Sequence, residues 1–241
     1  LKGKKKFSEI KSTEKNLSFN FSFTPIEKDR IKLILISSLI LIIFWASFEQ
    51  AGGLMNIYAF EKTERNLGFI NFEVPASWFQ SINPLMIILL GFHISAFWIF
   101  LKKKKIISSS LFKISVGIII MGLGFVFMYF ASLESSVYGK STMYWLVLAY
   151  LFHTIGELCA SPIILSYITK LSPKKLVASI MGIYFATIGL GNKLAGTIGE
   201  SSGNLGETKI FLGITILCLV VGLITILFHK KLIKLSHGID N

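Results

Sequence analysis

Two carboxylates lie within long apolar stretches of this chain. Glu49 stands in Phe44-Trp45-Ala46-Ser47-Phe48-Glu49-Gln50, and Glu157 in Gly156-Glu157-Leu158-Cys159-Ala160-Ser161-Pro162. An ionisable group at hydrocarbon depth is costly, so it faces a bundle interior or an aqueous cavity and marks a functional site. Two chemistries are open to such an acid: it can anchor a cationic group, and it can take up and release a proton, because its ionisation is sensitive to its partners. Neutral polar residues accompany the pair. Tyr150, His153, Glu157, Ser161 and Ile164 share one helical face, and Pro162 weakens the helix just after Ser161. Trp45, Glu49, Gly52 and Asn56 follow i, i+4, i+7, i+11 spacing and form a stripe unsuited to lipid. His153 and Glu157 at i, i+4 could ligate a metal, but without further His or Cys partners a cavity-lining polar face fits better.

The elements that must position these residues are membrane helices. The chain has 241 residues and is 53% hydrophobic, with its apolar residues gathered in six runs: residues 32–60, 77–101, 106–133, 142–170, 175–199 and 208–229. Each can cross a hydrocarbon core of about 30 Å. Residues 1–30 read as a linker and 230–241 as a tail. Thr24 and Pro25 suit a helix start, as cap and first-turn residue. In the second run Asn83-Pro84 breaks into the helix, where the amide either repairs a kink or meets a ligand. His93 reads as packed. Gly117, Gly122 and Gly124 assign the third run to packing, and Gly182, Gly189 and Gly196 at seven-residue spacing predict a close neighbour for the fifth. Lys193, near the end of that run, can snorkel to water. The last run reads as a lipid-facing support.

Basic residues set the orientation, because short cytoplasmic loops are enriched in Lys and Arg. Nineteen of the twenty-five lie before the first run, in Lys102 to Lys105, around Lys170, Lys174 and Lys175, or at Lys230, Lys231 and Lys234. Both termini are therefore expected in the cytoplasm, in a bacterial inner membrane. The net charge of +12 follows from this topology, so nucleic acid is not needed as a partner. Cys159 and Cys218 fall in different runs and imply no disulfide framework. Asn16-Leu17-Ser18 and Asn20-Phe21-Ser22 match a glycosylation pattern only by coincidence on the inner side. Gly139-Lys140-Ser141-Thr142 lacks the upstream Gly of a phosphate loop. A Lys-rich start without Met reads as a piece of something longer.

Glu49 and Glu157 occupy the first helices of two triplets, and Asn83 and Asn192 the second helices. Three-plus-three inverted repeats build each half of a major-facilitator transporter. With these residues the chain resembles the proton-dependent oligopeptide transporter family, in its C-terminal six helices. The resemblance rests on Phe44-Trp45-Ala46 through Gln50, on Val74-Pro75-Ala76-Ser77-Trp78-Phe79-Gln80-Ser81-Ile82-Asn83-Pro84, and on Gly156-Glu157-Leu158-Cys159 with Ser161-Pro162. It runs from about residue 30 to residue 230. It implies an all-α membrane protein that imports di- and tripeptides with protons by alternating access, without a cofactor.

By that resemblance Glu157 receives the peptide's amino terminus. Glu49 takes part in proton coupling and pairs with basic residues of the absent N-terminal half. Trp45 lines the cavity, Asn83 contacts the peptide backbone, Ser161 belongs to the binding face, and Tyr184 stands where the family usually has Trp. The partners implied are peptide, protons, the lipid bilayer and a second six-helix half. Three other readings stay open: a carrier of another solute on the same fold, a small intramembrane enzyme, and an autonomous six-helix protein. No nucleophile with a paired base supports the enzyme.

Overall fold

The computed structural model describes residues 22–68, 71–104, 106 and 109–240. Most of the expected linker, both Asn-x-Ser patterns at Asn16 and Asn20, and Lys105 lie outside them. Among the described residues, six helical segments are long and apolar enough to cross a membrane: Pro25–Glu61, Ala76–Lys103, Ser110–Tyr138, Met143–Leu171, Lys174–Leu205 and Glu207–Lys234.

The first segment opens as α1, Pro25–Phe48. Thr24 Oγ1 accepts from the Glu27 backbone N–H at 3.2 Å, Glu27 Oε2 accepts from the Thr24 N–H at 2.9 Å, and Pro25 takes the first turn. This reciprocal cap satisfies two backbone donors and starts the helix within residues assigned to the linker. The segment is not one continuous helix. It passes into a 3-10 turn at Glu49–Ala51 and, after Gly52 and Gly53, resumes as α2, Leu54–Glu61. The spacing of Trp45, Glu49, Gly52 and Asn56 therefore does not describe a single helical stripe.

The second segment begins as a 3-10 turn, Ala76–Ser81, and continues as α3, Ile82–Lys103. Pro84 falls in the first turn of α3, where a missing N–H forfeits no bond within the helix, so it initiates the helix instead of kinking it. Helices α4, Ser110–Tyr138, and α5, Met143–Leu171, follow, with Pro162 inside α5. Then come α6, Val177–Leu205, and α7, Glu207–Lys234. One residue, Gly206 at φ +82°, separates these last two, a left-handed conformation that a side chain would strain.

Part of the helix pairing follows inverted repeats, although the close α4–α5 packing has only a sparse counterpart in α7–α1. Helix α1 packs on α6, α3 on α5, and α4 on both α5 and α7. Exchanging the first triplet of segments with the second turns the α1–α6 contact into the α5–α3 contact and leaves α4–α7 unchanged. Outside the bundle, β1, Thr63–Glu64, pairs in parallel with β2, Ser141–Thr142, joining a loop of the first triplet to the connection between the triplets. Gly139 to Thr142 thus serves a strand contact, fixed further by the Tyr58 hydroxyl donating to Ser141 Oγ at 3.1 Å.

Glycines account for the tightest contact. A Cβ on Gly156 would lie 2.6 Å from the Gly117 carbonyl oxygen, and a Cβ on Gly117 2.6 Å from that of Gly156. Gly122 faces Cys218 and Gly124 faces His153, so these glycines are packing residues. Gly182, Gly189 and Gly196 correct the expectation for the fifth segment. Nothing lies within 4 Å of a Cβ at any of the three, and Gly191, against Trp45, is the glycine that lets α6 approach α1. A paired test follows. Gly156→Ala is expected to destabilise the purified chain by about 1–3 kcal/mol through overpacking, whereas Gly189→Ala leaves stability unchanged or raises it by about 1 kcal/mol through helix propensity. Thermal unfolding in one detergent measures both, and equal losses would refute the assignment.

Two further expectations change. His93 is exposed, with Nδ1 3.0 Å from the Leu89 carbonyl, so it is not packed. Helix α7 is more than a lipid-facing support: Phe211, Ile214, Cys218 and Gly222 are buried against the bundle. The chain after it folds back. The Asp240 carboxylate accepts from the Ser110 and Leu111 N–H groups at 2.7 and 3.3 Å, capping α4, and Arg30 Nε donates to the Ser236 carbonyl at 3.3 Å. Both cysteines are free and buried.

Candidate substrate and proton site

Glu157 sits midway along α5, half-buried, with Gly156 against α4 behind it and α3 in front. Asn83, in the first turn of α3, donates from Nδ2 to Glu157 Oε2 at 2.8 Å and to Thr154 Oγ1 at 3.2 Å. The amide meets the carboxylate; it does not repair a kink. Thr154 Oγ1 donates in turn to the Tyr150 carbonyl at 2.8 Å. The second Glu157 oxygen has no hydrogen-bond or ion-pair partner among the described residues. A charge-assisted bond of this length fixes the carboxylate's position, while one oxygen stays available to a cation or a proton.

Tyr150 connects this cluster to the interrupted first segment. Its hydroxyl donates to the Ala51 carbonyl at 2.7 Å, inside the turn that begins at Glu49. Gln50, the next residue, is buried and donates from Nε2 to the Ala46 and Ala195 carbonyls, each at 3.1 Å, tying the turn to α6. Backbone groups released where a helix breaks need such partners in a bilayer. Glu49 is half-buried, and its carboxylate has no partner among the described residues. It lines a cleft of about 550 Å³ with Gly52, Gly53, Asn192, Gly196 and Glu200. Glu49 beside Asn192 is the repeat-related counterpart of Glu157 beside Asn83, although only the latter pair is hydrogen-bonded.

A family model described as the POT family matches residues 6–205. The chain belongs to the POT family. Peptide transporter YePEPT of Yersinia enterocolitica is 41% identical over 185 residues, 74% of this chain and 36% of that protein. A di-/tripeptide transporter of Lactococcus lactis subsp. cremoris is 28% identical over 201 residues, 82% of this chain and 40% of that protein. Among solved structures, a mutant peptide transporter POT in complex with alafosfalin superposes with a TM-score of 0.81 at 27% identity, over 91% of this chain and 44% of that one. A POT family transporter in complex with a thioalcohol-conjugated peptide gives 0.78 at 30% identity, over 89% and 44%. The chain therefore spans less than half the length of each. POT proteins are membrane transporters, so the enzyme reading is set aside, and the fold is the six-helix major-facilitator bundle.

In this POT chain the expected site residues fall into two groups. Asn83 and Glu157 meet between α3 and α5, with Ser161 half-buried one turn beyond Glu157. Trp45 and Glu49 belong to the α1–α6 contact, where the Trp45 Cβ lies against Gly191 and the buried Trp45 Nε1–H is unpartnered among the described residues. Tyr184 on α6 is buried in the hydrophobic core, and Lys193 is exposed. His153 leaves the Glu157 face. It is fully buried with its ring centroid 4.6 Å from that of Phe125 on α4, and neither ring nitrogen is hydrogen-bonded among the described residues. Because His153 faces α4 and Glu157 faces α3, the two do not form a metal pair. Sequence reasoning missed Thr154 and Gln50. The signal for Thr154 was its spacing with Tyr150, Glu157 and Ser161, which is i, i+4, i+7, i+11 and spans a narrower arc than Tyr150, His153, Glu157 and Ser161.

Proposed function

We propose that this chain is the C-terminal six-helix half of a proton-coupled symporter that imports di- and tripeptides by alternating access. The observation that carries the reading is the Asn83–Glu157 pair: a carboxylate held by one oxygen on a membrane helix, in a POT family member. Glu157 anchors the peptide's ammonium group and Asn83 contacts the peptide backbone. Ser161, Trp45 and Tyr184 complete the wall, Tyr184 and Trp45 through packing that shapes it. Glu49 carries the coupling proton and pairs with a cation of the N-terminal half. That half is a required partner, because alternating access is the rocking of one six-helix bundle against the other. The residues before Pro25 serve as the cytoplasmic linker, the bundle spans Pro25 to Lys234 in place of the expected 31–229, and the remainder lies on the cytoplasmic side of a bacterial inner membrane.

The test uses the chain joined to its N-terminal half in proteoliposomes. Labelled dipeptide is expected to accumulate when the outside is made acidic, with alkalinisation of the medium, and unlabelled di- and tripeptides are expected to compete. Competition by another class of solute, with dipeptides inert, would assign the chain to a different cargo on the same fold.

A further inference from the structure

A second cavity, of about 610 Å³, lies between α1 and α7 at the end of the bundle that carries both termini. Its walls are aliphatic and aromatic, including Ile36, Leu39, Ile43, Ile224 and Phe228, and Lys32 and Lys231 stand at its mouth. At 100° per residue the groove face of α1 is turned roughly 160° from Trp45, so it points away from the proposed substrate side, toward lipid. Leu39 is 66% exposed there.

Among the described residues nothing balances the charge at the mouth. Three acids occupy this end among the described residues, and each is already engaged. Glu27 pairs with Lys175 at 3.3 Å, Asp29 with His237 at 2.7 Å, and Asp240 accepts the two α4 backbone donors. Lys32 has no hydrogen-bond or ion-pair partner among the described residues, and the Lys231 ammonium lies 5.5 Å from the Phe228 ring centroid, over the groove wall. An apolar crevice ending in two uncompensated ammonium groups fits an amphiphile with a hydrocarbon chain and a negative head.

We propose that this groove binds one anionic phospholipid, an acyl chain lying between α1 and α7 and the phosphate between Lys32 and Lys231. The site needs a bilayer but not the transport reading, so the two can fail separately. The test is native mass spectrometry of the purified chain joined to its N-terminal half and equilibrated with equal amounts of phosphatidylglycerol and phosphatidylcholine. Each basic residue near an anionic surface is worth about fivefold, so the chain should retain phosphatidylglycerol over phosphatidylcholine by about 30-fold. The double substitution Lys32→Gln with Lys231→Gln should bring the ratio near one, while Lys102→Gln with Lys103→Gln, on another basic turn, leaves it high. Leu39→Trp, at an exposed wall position, should displace the acyl chain and lower retention with both lysines intact. The proposal is overturned by equal retention of the two lipids, by an unchanged ratio in the Lys32/Lys231 variant, or by equal loss in the Lys102/Lys103 variant. Lipid-independent dimer masses abolished by Leu39→Trp would overturn it too, giving the groove to a second copy of the chain.

Discussion

Replacing Glu157 with Gln in the complete transporter is expected to reduce uptake of peptides with a free amino terminus by about 30-fold to 5,000-fold in kcat/KM, the range for truncating one partner of a desolvated charge pair at about 2–5 kcal/mol. The fold should survive the change. Gln has nearly the same shape, and its carbonyl oxygen can still accept from Asn83 Nδ2, which now reaches Glu157 Oε2 at 2.8 Å. What is removed is the negative charge on the oxygen that no described residue engages. The control lies in the substrate. A peptide acetylated at its amine presents no cation, so wild type and variant should transport it at similar, low rates. Uptake of free-amine peptides at the wild-type level would end the assignment of Glu157 as the amine anchor. An equal loss for free and acetylated peptides would show instead that Glu157 acts outside amine recognition.

The part of this site legible in the sequence is the part that violates its surroundings. Glu49, Glu157 and Asn83 stand out because acids and amides are costly in apolar runs, and their order within two triplets carried the repeat. The glycines of α4 were legible for the same reason, since three lie in a run with no other purpose. The misreadings are of three kinds. His153 is equally conspicuous, but at 100° per residue it lies about 60° from Tyr150, about 80° from Ser161 and about 100° from Thr154, enough to turn it onto Phe125. Thr154 was inconspicuous because a Thr in a membrane helix commonly satisfies itself on the carbonyl one turn back. It does so here on Tyr150, and its oxygen still accepts from Asn83. The break after Phe48 left no mark in the hydrophobic pattern, because both pieces are apolar and only the Gly52-Gly53 pair hints at it. What holds the break together comes from far away: Tyr150 reaches Ala51 from 99 residues along the chain and Gln50 reaches Ala195 across 145. Asp240 capping α4 from 130 residues away is a similar case. Such pairings depend on the packed bundle and have no local signature.

If the proposed symport holds, replacing Glu49 with Gln is expected to separate peptide exchange from proton-driven accumulation. The carboxylate stands where α1 gives way to the 3-10 turn, half-buried and unpaired among the described residues, in a cleft whose amide, Asn192, lies on α6. An unpaired acid at this depth has two stable conditions: protonated, or facing a cation from the other half. Alternation between them would link proton uptake to the approach of the two halves, with the Tyr150–Ala51 and Gln50–Ala195 bonds carrying the turn along with α5 and α6. Gln mimics the protonated condition permanently. The variant should therefore still exchange peptide for peptide across a membrane loaded on both sides, which requires the conformational cycle but no net proton movement. Proton-driven accumulation should vanish; for one proton per peptide, one pH unit otherwise supports about tenfold accumulation. Counterflow and acid-driven uptake, measured in the same proteoliposomes, distinguish the outcomes. Loss of both would make Glu49 a structural or binding residue, and retention of acid-driven accumulation would move the coupling proton to another group, with Glu157 the first to examine.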